Sequence, residues 1–254
     1  MSPLSILILG FILGLKHATD ADHVVAVTTI VTRQRKLRHA ALVGITWGIG
    51  HTLMIIIVGI AIIIFHVSIP ERAQLSFEFV VAVALVVLGF LNLTGIMKRI
   101  MTKLEALRPL HTHLHFHGAA HVHMHNHPEH FHEDPGRHEA VAEFIYHHGV
   151  VQLLRPFIVG LIHGLAGSAA VALLVLGSIS DERVAVVYLA IFGVGTIVGM
   201  MLITTLLGVP IIAGSKKFAR FDRIVTALSG VISVAYGLSF GYHIGIVDGL
   251  FRPW

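Results

Sequence analysis

Lys16-His17-Ala18-Thr19-Asp20-Ala21-Asp22-His23 interrupts an apolar run that otherwise extends from about residue 4 to residue 31. Charged side chains at membrane depth are expensive and persist where they line a pathway or bind an ion. On an ideal helix, steps of about 100° per residue place His17, Asp20 and His23 within roughly a 120° arc, with Asp22 on another side. Two imidazoles and a carboxylate on one face make a partial shell for a first-row divalent metal. The bland alternative is that the groups only pair with each other, Lys16 with Asp20 at i,i+4, and tie helices together. In a soluble helix pairing would be the better reading. Inside lipid, with four candidates in seven residues, a metal is favoured.

Working outward, the composition agrees with lipid. Of 254 residues, 55% are hydrophobic and 13% charged, and the mean hydropathy is +0.83. A soluble domain carries about 25% charged residues, so this is a polytopic membrane protein whose first partner is the bilayer. There are no cysteines, so any metal must be held by nitrogen and oxygen. The formal charge of +4 does not indicate nucleic acid, because the basic residues sit between apolar runs and read as topology signals. No cleavable signal is evident, since the first run exceeds a typical signal core and carries His and Asp.

Six runs are long enough to cross about 30 Å of hydrocarbon: about 4–31, 40–65, 77–97, 151–178, 184–212 and 224–247. The first connection carries Arg33, Arg35, Lys36 and Arg38, the third Lys98, Arg99, Lys103 and Arg108, and the fifth Lys216, Lys217, Arg220 and Arg223. The second has only Arg72, the fourth only Arg183 and the C-terminal tail only Arg252. Positive connections stay in the cytoplasm, which puts both termini outside.

The two halves resemble each other. Gly14-Leu15-Lys16-His17 matches Gly160-Leu161-Ile162-His163, and about thirty residues later Trp47-Gly48-Ile49-Gly50 matches Phe192-Gly193-Val194-Gly195. Three spans per half is an odd number, so the halves must run in opposite directions, a transporter signature with the substrate site near the midplane. The expected fold is all-α: six transmembrane helices as two inverted three-helix repeats, residues 1–100 and 151–254, joined by a loop at 101–150.

That loop is histidine-rich. Residues 111–148 hold thirteen of the twenty histidines, with His111, His113, His115 and His117 alternating, and His121, His123, His125 and His127 likewise. Such a tract cannot build a core and is expected to be disordered without ligand. Imidazole suits Zn, Cu, Fe and Ni, so the loop reads as a cytoplasmic metal buffer, or alternatively as a pH sensor near the ordinary histidine pKa of about 6.5.

Two further histidines lie in apolar runs. His51 follows a glycine pair in Gly50-His51-Thr52, where ligand and helix-packing roles weigh about equally and the nearby motif tips the balance to ligand. His163 opens the second half opposite His17, while Ala166, Ser168 and Ala169 stand where Asp20, Asp22 and His23 stood. The second half has therefore kept one imidazole and lost the acids. Asn92 is better read as a structural bond between helices than as a ligand. His66 and His243 lie near span ends, where interfacial solvation explains them, and His39 sits with the basic first connection and needs no special role.

No enzymatic motif is complete. His138-Glu139 begins a zinc-protease pattern, but Ala142 stands where the second His is needed, and no glycine-rich phosphate loop occurs. The expectation is no enzyme and no prosthetic group.

The motif at 16–23 resembles the signature of the nickel/cobalt transporter superfamily, His-x4-Asp-His preceded by a basic residue, and Gly50-His51-Thr52 resembles that family's Gly-His-Ser/Thr element. The resemblance implies a transmembrane metal site at His17, Asp22 and His23, whereas helical projection groups Asp20 with the histidines; both acids are kept. The larger permeases of that family have eight spans and a second-half motif with Asp, Thr and Glu. His163-Gly164-Leu165-Ala166-Gly167-Ser168 departs from it and resembles the six-span urease-accessory-type branch.

The resulting expectation is a cell-membrane permease for Ni²⁺, or Co²⁺, as transported substrate, lined by His17, Asp20, Asp22, His23 and His51 with His163 opposite. Lys16 would pair with Asp20 in the empty state. A metallochaperone docking at the loop is the expected protein partner. The alternatives are nickel or cobalt efflux, and a membrane-anchored metal-binding accessory protein for metalloenzyme maturation.

Overall fold

The computed structural model describes residues 3–65, 70–96, 111–117, 119–125, 150–164, 176, 178–179, 181–218 and 220–252. Helices dominate. The first is α1 (Pro3–His17), followed by α2 (Ala21–Val31), α3 (Leu37–Phe65) and α4 (Glu71–Thr94). After the histidine tract come α5 (Val150–Gly164), α6 (Glu182–Lys217) and α7 (Phe221–Tyr242), the last continued by a π-helical turn over His243–Val247.

Four stretches are long and apolar enough to cross a membrane: Leu37–Phe65, Glu71–Thr94, Glu182–Lys217 and Phe221–Val247. The bent pair Leu4–His17 and Ala21–Val31 makes a fifth if it forms one span. Of the expected run at 151–178, α5 supplies the first part, and 165–175 lie outside the described residues. Large apolar side chains such as Ile57, Phe90, Leu206 and Leu228 face outward, as lipid-facing positions do.

The first apolar run is not one helix. α1 ends in a tightened turn in which Thr19 N–H donates to Lys16 O (2.8 Å) and Asp20 N–H to His17 O (3.1 Å). Asp20 is then extended (φ −60°, ψ 145°) and caps α2, and the two helices meet at a 55° bend. The continuous-helix projection is corrected accordingly. So is the Lys16–Asp20 pair: the break removes its i,i+4 geometry, Lys16 is exposed, and Asp20 turns to His17 instead. Broken backbone at membrane depth is tolerated where protein or a cavity surrounds it.

Glycines let the helices approach closely. A Cβ on Gly14 of α1 would strike the Phe192 carbonyl of α6, and one on Gly195 of α6 would strike the Phe11 carbonyl of α1. Between α5 and α3, Gly160 stands in the same way against the Trp47 carbonyl, and Gly50 against the Phe157 carbonyl. α6 also lies along α3, where Gly48 meets Ile197 and Gly193 meets the Thr52 side chain. Small residues at such crossings replace hydrophobic driving force with backbone-close packing.

The remaining helices form a flank. α4 and α7 touch through Gly89, Gly230 and Gly237, with Ser233 Oγ donating to Leu85 O at 2.8 Å. Asn92 is structural: its Nδ2 donates to Thr226 O (3.2 Å) and Ser229 Oγ (3.1 Å). Its Oδ1 receives Arg33 from the end of α2. Gly95 ends α4 in the left-handed region (φ 66°), where glycine carries no Cβ penalty.

Within the histidine tract, β1 (His111–His117) and β2 (Ala119–His125) pair antiparallel, with His111 opposite His125, His113 opposite His123 and His115 opposite His121. An alternating sequence suits a pleated ribbon, whose side-chain period is two. The sequence reading assigned no strand here; the rest of the loop it expected to be disordered lies outside the described residues.

Candidate metal centre

Three imidazoles from three elements meet at the break between α1 and α2. His17 ends α1, His23 lies in the first turn of α2, and His51 projects from the middle of α3. One ring nitrogen from each lies within 4.8 Å of the other two. Ring centroids of His17 and His23 are 4.8 Å apart, of His17 and His51 4.9 Å, and of His23 and His51 4.8 Å. His23 is fully buried, and His51 is 1% exposed. The sequence reading already grouped His51 with these two histidines; the glycine-lined approach of α3 is what carries it to them across the chain.

The hydrogen bonds assign tautomers. His17 Nδ1–H donates to Asp20 Oδ2 at 2.9 Å, so neutral His17 keeps its lone pair on Nε2. His51 Nε2 lies 2.8 Å from that atom and donates to it, leaving the His51 Nδ1 lone pair buried and unpartnered. On α5, His163 Nδ1–H donates to Val159 O at 3.0 Å, which leaves Nε2 buried without a partner. Its ring centroid is 5.8 Å from that of His23. Neither nitrogen of His23 has a hydrogen-bond partner; Asp22 Oδ1 lies 3.3 Å from Nδ1 but without hydrogen-bond geometry.

Asp20, Asp22 and His23 form a second overlapping group, each offering one ligand atom within 4.8 Å of the others. The break between the helices brings both carboxylates beside His23. Asp20 would ordinarily accept from the first amides of α2 as its cap, yet makes no such bond and orients His17. Asp22 sits in the first turn of α2, where the helix dipole favours a carboxylate.

Buried polar atoms without partners are costly, about 1–3 kcal/mol each. Here several converge, all of them nitrogens, beside two carboxylates. The donor set fits a borderline divalent cation such as nickel, cobalt or zinc.

Two aromatic rings wall the cluster, and sequence reasoning did not single them out as site residues. Phe192 lies with its ring centroid 5.7 Å from that of His17, and Trp47 stands 5.2 Å from that of His163. Their signal was present in the repeated Trp47-Gly48-Ile49-Gly50 and Phe192-Gly193-Val194-Gly195 elements. Of the loop histidines, His111, His113, His115, His117, His121, His123 and His125 lie at alternate positions of the hairpin. His127 lies outside the described residues.

Comparison with known proteins adds the context for this geometry. A family described as "NicO: High-affinity nickel-transport protein" matches residues 4–240. A "Urease accessory protein UreH" from Bacillus sp. (strain TB-90) is 36% identical over 251 residues, covering 99% of this chain and 96% of the relative. No solved structure matches.

Proposed function

This chain belongs to the NicO family of high-affinity nickel-transport proteins, and from that premise we propose that it is a permease carrying Ni²⁺, with Co²⁺ second, through the cluster at the α1–α2 break. The observation that carries this reading is the convergence of His17, His23 and His51 with unpartnered buried nitrogens in a membrane protein.

In the proposed mechanism the ion sheds water, breaks the hydrogen bond between the His17 and His51 rings, and takes one lone-pair nitrogen from each of His17, His23 and His51. Asp22 supplies oxygen and Asp20 holds the His17 ring. Two carboxylates offset the dication, so a nearly neutral group occupies the low-dielectric centre, where an uncompensated charge would be costly. His163 receives the ion from the opposite side as the path switches. Protons compete with metal for imidazole, so uptake falls as the medium is acidified.

We read the architecture as six spans in two inverted repeats. Support comes from the paired helix contacts: Gly14 against Phe192 and Gly195 against Phe11 have their counterparts in Gly160 against Trp47 and Gly50 against Phe157. The ring pairs His17–Phe192 and His163–Trp47 correspond in the same way. Each pairing joins the first helix of one half to the second helix of the other, the correspondence expected of two related repeats. With both termini outside and the basic connections inside, the ion leaves towards the cytoplasm, where the histidine tract buffers it and a metallochaperone collects it.

The test is metal uptake into proteoliposomes, compared for Ni²⁺, Co²⁺ and Zn²⁺, with wild type and His51→Ala. Nickel flux that survives His51→Ala unchanged would sink this site. A second reading, a membrane-anchored nickel accessory protein, is favoured by the similarity to the urease accessory protein from Bacillus sp.. It predicts nickel retention at the tract without flux across the bilayer.

A further inference from the structure

Away from the metal centre, two arginines stand together without an acid. Arg33, just beyond α2, donates from Nε and Nη2 to Asn92 Oδ1 at 2.9 and 2.8 Å, and from Nη2 to Asn92 O at 3.4 Å. A neutral amide thus receives the guanidinium. Arg155 projects from α5, and its Nη2 is buried with no hydrogen-bond partner. Arg33 lies close enough to repel it electrostatically. Among the described residues, no carboxylate comes within ion-pair distance of either; the nearby basic connection contributes Arg35, but that residue is paired with Asp222.

Both arginines lie on the same side of the metal centre. Arg155 is eight residues from His163 along α5, and Arg33 ten residues from His23 along and just beyond α2, or about 12–15 Å at 1.5 Å per residue. That is the end of the bundle carrying the basic connections.

Two like charges near each other in partly desolvated surroundings repel; Arg33 has only a neutral amide as partner and Arg155 Nη2 has none, where burial calls for a paired opposite charge. Planar guanidiniums match phosphate oxygens with paired hydrogen bonds. Basic pockets between transmembrane helices on the cytoplasmic side are suited to anionic headgroups. We infer that Arg33 and Arg155 form a binding site for a phosphate-type oxyanion, taken either from an anionic lipid headgroup or from free phosphate. An anion there also lowers the positive potential that a departing dication meets. The site rests on the two guanidiniums and stands or falls separately from the metal reading.

The experiment is native mass spectrometry of the full chain released from detergent, titrated with phosphatidylglycerol, with phosphatidylcholine, or with inorganic phosphate against chloride at equal ionic strength. The expected result is selective retention of phosphatidylglycerol over phosphatidylcholine, weakened about tenfold to a hundredfold by Arg155→Gln or Arg33→Gln. Arg155→Lys, which keeps charge but loses the planar fork, should lose most of it and guards against misfolding of the Gln variant. Exposed Arg220→Gln should leave retention unchanged. Asn92→Ala removes the structural partner of Arg33 but spares both guanidiniums, so retention should persist; a merely structural Arg33 predicts its loss. Retention of phosphate alone would assign a soluble anion to the same site. Equal retention by wild type, Arg33→Gln and Arg155→Gln, or no preference for either phosphate form, overturns the inference.

Discussion

His17 shows how much one side chain can be asked to do. Its Nδ1 is committed to Asp20 and its Nε2 faces His51, so the carboxylate sets both the tautomer and the ring direction presented to an ion. Replacing an orienting partner of this kind weakens metal affinity about 10–100-fold. Asp20→Asn should therefore lower nickel affinity by about that factor, read as a shift in the half-saturating concentration for uptake. His51→Ala or His17→Ala removes a donor itself and should cost more. If Asp20→Asn leaves the concentration dependence untouched, the hydrogen bond to His17 is ornamental. His17 and His23 were readable as candidates because ionisable groups in an apolar run are costly. The roles of Asp20 and Asp22 were not separable in the sequence, since the projection that distinguished them assumed a helix that the chain interrupts.

Among the elements, α1, α3, α5 and α6 owe their spacing to glycine. Gly160 packs against the Trp47 backbone carbonyl, and backbone cannot swing aside as the tip of a side chain can. Gly160→Ala should destabilise the protein by about 1–3 kcal/mol through overpacking, seen as a lower thermal transition, and should weaken nickel binding by moving α3 and His51. Gly241 offers the contrast: its Cβ would meet Ala82 at 3.5 Å, an ordinary contact. Gly241→Ala should be neutral or mildly stabilising, because alanine is the better helix former by about 1 kcal/mol. Equal effects of the two substitutions would show that close approach at Gly160 is unimportant. The apolar runs announced most of these helices. The bend at Asp20 was hidden, since it lies in the extended backbone of that one residue and the tightened turn before it, which hydropathy does not register.

For the molecule as a whole, the membrane part and the histidine tract are separable in function under the proposed reading. Deleting residues 111–148 should preserve nickel flux in proteoliposomes while changing the metal concentration at which the protein responds. Loss of all function on deletion, with the helices still folded, would favour the accessory role. At this scale the sequence alone determined that the chain is a membrane protein, where its apolar runs lie and which connections between them are basic. These are one-dimensional properties, set by transfer free energy and by spacing along the chain. Only the tertiary structure decided that His17, His23 and His51 share one centre, with His163 and two aromatic rings beside it, and that Asn92 serves Arg33. Those meetings depend on where the first helix breaks and how closely glycine backbones approach, and both are settled by contacts between residues far apart in the chain.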